Sequence, residues 1–348
     1  MNFAVMICLL QTSVITQPAP AQAAAAGPYH VETRFEVGGE GWWDYVTLDS
    51  SGQRLFVPRG THTMVLDAHS GKTLADLAET DGVHGVALAE GLGKGFTSNG
   101  RAGTVTAFDL SNYKPLATIK VGQNPDSILF EPTTKRVFAF NGRSKDASVI
   151  DAATQAVVET IPLGGKPEFG VADGKGKIFV NIEDTSELVK IDAASMKVEA
   201  RWNLAPVQEP SGLAFDAARR RLFSVGSNQK MVEVDADSGK VLASVDIGKG
   251  VDGACFDPAG FACASNGDGT LTVVSAKSDK PDEFKVVQTL DTAARARTCV
   301  IDPASRRIFL PTAEFDPAPP AKKGERPGRP VMKPGTFKII VVSPESGR

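Results

Sequence analysis

The sequence predicts an all-β fold: a seven-bladed β-propeller with four-stranded antiparallel blades. A strand-sized pattern returns about every 42 residues, and two independent sets of landmarks keep that period. A lone strand near the N-terminus has no blade of its own and supplies the outer strand that the last blade lacks, closing the ring.

The first landmark is the end of each innermost strand. It falls at Asp49, Ala89, Glu131, Asp173, Asp216, Asp257 and Asp302, with gaps of 40, 42, 42, 43, 41 and 45. The second is the end of each third strand, at Asp67, Asp109, Asp151, Asp192, Asp235, Ser275 and Ser343.

The third blade shows the unit most clearly. PDSILFEP is its inner strand, RVFAFN its second, ASVID its third and VVETIPLG its outer strand. Short apolar runs alternate with turns built from Gly, Asp, Asn, Ser and Pro. An Asp before Ala-Ala-Thr or Ala-Asp-Ser-Gly holds a bend by accepting nearby backbone N–H groups, so these acids are read as structural. In the seventh blade FKIIVVSP is the third strand, and HVETRFEVG fills the outer slot. The propeller then spans 30–343 as one domain, followed by a tail at 344–348.

Residues 1–23 read as a secretory signal, with the apolar run FAVMICLL and an Ala-Gln-Ala cleavage site, and 24–29 as a leader remnant. This predicts a periplasmic or secreted protein, and no later stretch is long and apolar enough to span a bilayer. The expected state is a monomer. If the FDPAGF turn pairs Asp257 with Phe261, Cys255 faces Cys263, and an oxidising compartment permits a bond or leaves two buried thiols. No Cys/His cluster has zinc-site spacing.

The 38 basic and 41 acidic residues give a net charge of −3, which points away from nucleic acid as a partner. Residues 316–335 are a basic, Pro-rich insertion in the last blade, with five basic and two acidic residues and six Pro. It reads as an exposed loop, a lid or a partner contact.

Counting five back from each first landmark gives the residues that open the inner strands at one mouth of the channel. They are Asp44, His84, Asp126, Glu168, Ser211, Asp252 and Arg297. Asp44, His84, Asp126, Glu168 and Asp252 are candidate ligands for a divalent cation: Ca²⁺ or Mg²⁺ through oxygens, Mn²⁺ or Zn²⁺ with His84. Crowded carboxylates beside His84 could alternatively do acid–base work, with His84 and Arg297 as the catalytic candidates. A wet polar mouth that binds only water is the third reading. Trp43 and Arg59 are candidate binding residues, one as a stacking wall and one for an anionic group. Asn99, Asn141, Asn181 and Asn266 end the second strands, where they can cap a turn or face a polar ligand. No GxSxG, HExxH or phosphate-binding Gly-rich loop is present.

The segments NPDSILFEPTTKRVFAFN, SVIDAATQAVVETIPLGGKPE, SGLAFDAARRRLFSV and VEVDADSGKVLASVDIG resemble the YncE-like, or YVTN-repeat, family of exported bacterial propellers, a WD40-like group. That resemblance implies a periplasmic binding or interaction module whose partner is a small polar ligand or another periplasmic protein. Related propellers include lactonases and lyases that hold a metal with channel-lining residues. The alternative is therefore a metal-assisted, lactonase-like hydrolase or a lyase acting on a small polar substrate at the channel mouth.

Overall fold

A computed structural model describes residues 27–278, 280–317 and 330–345. The expected signal segment at 1–23 and most of the 316–335 insertion lie outside the described residues.

Seven four-stranded sheets, all antiparallel between neighbours, form the predicted propeller. Blade one covers 47–77, blade two 83–120, blade three 125–162, blade four 167–203, blade five 210–246 and blade six 253–291. Blade seven takes Val300–Ile301, Ile308–Thr312 and Lys338–Pro344 from the C-terminal part of the chain and Tyr29–Glu36 from the N-terminal part. Phe35 pairs with Ile339 and Glu36 with Lys338, so first and last segments close the ring through backbone hydrogen bonds. Among the described residues no helix is long and apolar enough to cross a membrane.

Burial follows position within a blade. The second strand of blade three, Arg136–Asn141, is almost wholly buried, whereas its outer strand, Ala156–Pro162, is almost wholly exposed. The apolar core lies between blades. Phe138, Phe140 and Val149 of blade three pack against Ile178, Val180 and Val189 of blade four. Inner strands approach closely enough that a Cβ on Gly212 would come within 2.7 Å of the Ala254 backbone nitrogen. The Asp-led turns form as the sequence suggests: Asp151 accepts the N–H groups of Ala153 at 3.0 Å and Thr154 at 2.7 Å.

Closure is reinforced by a buried polar contact. The Tyr29 hydroxyl of blade seven donates to Asp257 of blade six, which also accepts from Arg306 Nε at 2.9 Å. Cys255 and Cys263 stand directly opposite each other across the blade-six hairpin as free thiols. Phe315–Asp316 and Val331–Met332 form a small ribbon that roots the insertion outside the blades.

Candidate metal centre at the channel mouth

The inner strands break register where their openers sit. The ladder shifts between Val83 and Gly85, between Pro125 and Ser127, between Pro167 and Gly170, and between Pro210 and Leu213. Such a bulge takes a residue out of the ladder and re-aims its side chain. His84, Asp126, Glu168 and Ser211 are the residues released. All seven predicted openers line one recess of about 340 Å³ at the channel mouth.

Within that recess Asp44, His84 and Asp126, from consecutive blades, draw together. One potential ligand atom from each lies within 4.8 Å of the other two, and all three residues are half-buried. His84 Nδ1 is 2.7 Å from Asp44 Oδ2 and 3.3 Å from Asp126 Oδ1. Burial alone would lower the His84 pKa. The hydrogen bond with Asp44 and the charges of Asp126, Asp44 and Glu168 outweigh it, and the pKa is pushed up to about 9. The imidazolium thus stands between two carboxylates. Burial raises Asp126 above the usual carboxylate range, against the pull of His84. Two carboxylate oxygens and an imidazole nitrogen make a donor set suited to a divalent cation.

Gly100 makes room for the imidazole, since a Cβ there would come within 2.7 Å of His84 Nε2. Asp44 is anchored through its backbone, whose carbonyl accepts from Thr298 Oγ1 at 3.1 Å.

The other openers are engaged elsewhere. Glu168 pairs with Lys166 at 2.6 Å, and Lys166 also pairs with Glu183. Asp252 pairs with Arg297 at 3.0 Å. Neither carboxylate belongs to the three-residue cluster. Burial, then the charge of Asp126, drives Glu168 up to about 8 despite Lys166. Burial drives Asp252 up to about 7 despite Arg297. Ser211 Oγ donates to the Val251 carbonyl at 3.4 Å.

Six further residues line the recess, and two of them that counting did not select, Tyr45 and Lys166, touch the openers directly. Tyr45 is buried, with its hydroxyl 3.4 Å from Glu168 Oε2 and 3.5 Å from Asp252 Oδ1. Lys166 supplies the cation beside Glu168. Tyr45 follows an opener directly and reads as part of the apolar strand, while Lys166 precedes Glu168 by two in a turn. The only sequence signal for Lys166 is its closeness to a predicted site acid.

The remaining candidates are placed as follows. Arg59 is fully buried, donates to the Gly38 and Gly41 carbonyls and lies 3.6 Å over the Phe337 ring. Burial lowers its pKa to about 10, and no solvent-borne anion reaches it. Trp43 is buried against Phe337, with ring centroids 5.4 Å apart. The tryptophan exposed at the mouth is Trp42. Asn99, Asn141, Asn181 and Asn266 are all buried. Asn99 donates to Thr106 at 2.9 Å, Asn141 to Ser148 at 2.9 Å and Asn266 to Thr272 at 2.9 Å, each within its blade. Asn181 donates to the Ser211 carbonyl at 2.9 Å, linking blades four and five.

Comparison with known proteins places the chain elsewhere than its turn motifs suggest. One family model, described as the cytochrome D1 heme domain, matches residues 53–317. Among solved structures, a chain of Kuenenia stuttgartiensis hydrazine synthase superimposes with a TM-score of 0.68 at 14% identity, covering 81% of this chain and 94% of that one. At this identity the likeness shows the fold alone. No curated protein matches the chain. The YncE-like, YVTN-repeat and WD40-like resemblance is therefore corrected. Its motifs consist of turn acids and apolar strand residues, which any four-stranded blade of this kind requires.

Proposed function

The chain belongs to the cytochrome D1 heme domain family, and from that premise and the ring geometry we propose a divalent-metal-dependent enzyme acting on a small polar substrate at the channel mouth. The reaction class is hydrolysis or elimination. The observation that carries this reading is the convergence of Asp44, His84 and Asp126 under an open recess. The same fold also carries a protein named as a synthase.

The family name implies a heme, and the residues at this mouth do not fit one. Among the described residues His84 is the histidine lining the mouth recesses. Its Nδ1 is held between two carboxylates and its Nε2 edge lies against Gly100, so neither ring nitrogen is presented to the iron of a bulky macrocycle. No step below passes through heme.

Asp44, His84 and Asp126 would hold the divalent ion, with His84 giving up its proton on binding. Such an ion would supply Lewis-acid polarisation of a carbonyl or acidification of a water. Burial and the charge of Asp126 raise the proton affinity of Glu168, which suits its carboxyl to donating to a leaving oxygen. Lys166 orients that carboxyl. Arg297, tied to Asp252 and half-exposed, can steady negative charge on the substrate. The signal-like sequence at 1–23 supports assigning this activity to the periplasm or the exterior.

The direct test is calorimetric titration of chelator-treated protein with Mn²⁺ and Zn²⁺, followed by a screen of lactones and esters with the loaded protein. One ion per chain is expected, lost in Asp44→Asn/Asp126→Asn with folding intact by circular dichroism. Absence of binding in the wild type would sink the metal-dependent reading. A stoichiometric Soret-shifted complex with added heme would overturn the exclusion of heme.

A further inference from the structure

Beside the cluster lies a second recess of about 420 Å³, lined by Trp42, Trp43, Arg295, Arg297 and Pro330. We propose that it binds the planar ring of an aromatic carboxylate, and that the substrate of the adjoining centre belongs to this class. The inference rests on the enzymatic reading for turnover, while the binding site itself stands on its own geometry.

Trp42 is 48% exposed. It is held in place by neighbouring rings, with centroids 6.3 Å from Trp43 and 5.6 Å from Phe315. An indole backed in this way presents a fixed flat face on which another ring can stack.

Two guanidinium groups frame that face. Arg295 lies over Phe315 at 4.6 Å and has no carboxylate partner among the described residues. Its backbone is in the left-handed region at φ 65°, where a residue with a Cβ is strained, and its N–H is fixed to the Gly267 carbonyl at 2.8 Å. Arg297, two residues on, leans from the same segment toward Asp252. A planar fork of donors is the natural partner of a carboxylate. Aromatic wall and guanidinium together select a ligand with both a ring and an anionic group.

The recess also connects with the chemistry. Trp42 and Trp43 are shared with a neighbouring hollow of about 490 Å³ whose wall includes Asp44 and His84. A ring stacked on Trp42 would lie beside the hollow that holds the cluster.

The test uses the mature chain and three probes: 2-naphthoate, 2-naphthamide and cyclohexanecarboxylate, each titrated with and without Mn²⁺. The expected result is naphthoate binding about tenfold or more tighter than either analogue, the scale of one hydrogen bond to a charged group. Arg295→Gln and Trp42→Ala should each lose about tenfold in naphthoate affinity while keeping Mn²⁺ stoichiometry. Arg101→Gln, already paired with Asp81 at 3.0 Å, should change little. Equal binding of all three probes, or undiminished binding in both variants, would overturn the inference and leave the metal reading intact. Selective naphthoate binding to a protein that takes up no metal would support the recess and overturn the enzymatic reading instead.

Discussion

Asp44 and Asp126 stand two blades apart, yet both reach one atom, Nδ1 of His84, at 2.7 and 3.3 Å. The imidazolium neutralises two acids that would otherwise repel across the channel. In the metal-free protein a proton on His84 does the electrostatic work that a cation would take over.

Asp44→Asn removes the hydrogen-bonding charge that does most to raise His84. In metal-free protein its pKa should fall from about 9 toward the ordinary 6.5. A histidine-detected NMR titration reads this directly, and an unchanged titration would refute the clamp.

Glu168 gives a pH dependence of definite sign. Its ordinary value is 4.5 and its folded value about 8, so between these the folded protein keeps a proton that the unfolded chain has released. The contribution to stability is full below about 4.5 and is lost as pH rises through about 8. Glu168→Gln stays neutral throughout. Without metal, its Tm should exceed that of the wild type by about 2–4 °C or more at pH 9 and differ little at pH 5.

Gly100→Ala would place a methyl group against the imidazole edge, within 2.7 Å of Nε2. The ring must shift, and its partners shift with it. The expected result is about 10–100-fold weaker Mn²⁺ binding, the scale seen when support behind a ligand is lost, with an unchanged circular dichroism spectrum.

Ring closure has its own test. Asp257 is buried and accepts from Tyr29 of blade seven and from Arg306. Tyr29→Phe should cost about 1–3 kcal/mol by leaving a buried acceptor short of one donor. Asp257→Ala should cost about 3 kcal/mol, the low end for a broken buried ion pair, because Arg306 is partly exposed. Denaturant unfolding of both variants measures the difference, and values near zero would mean that the backbone pairing of Tyr29–Glu36 alone secures closure.

The sequence exposes the propeller because each blade repeats the same turn chemistry, and two landmarks a strand apart report one period. It also exposes the seven openers, since they lie at a constant count from those landmarks. Three of the four bulges that turn openers into the channel start at a proline, Pro125, Pro167 and Pro210, a mark that counting along the repeat does not use. In the sequence Arg59 reads as a cation for an anionic group. Only the returning segment around Gly38 and Gly41, brought over it by the fold, encloses it. The four Asn residues looked like a possible lining because they recur, and in the structure their amides are spent on blade hydroxyls and a neighbouring carbonyl. The family resemblance misled for a related reason: the repeated words spell blade architecture, which distinct propeller families share.

Each bulge detaches an opener from the hydrogen-bonded ladder while leaving the rest of its strand in place. An opener can therefore be exchanged without unpairing its blade. Four of the seven mouth positions, His84, Asp126, Glu168 and Ser211, are editable letters of this kind, at each of which a substitution rewrites one compass point of the donor set. Three adjacent positions here read Asp, His, Asp, and a neighbouring chemistry lies one letter away.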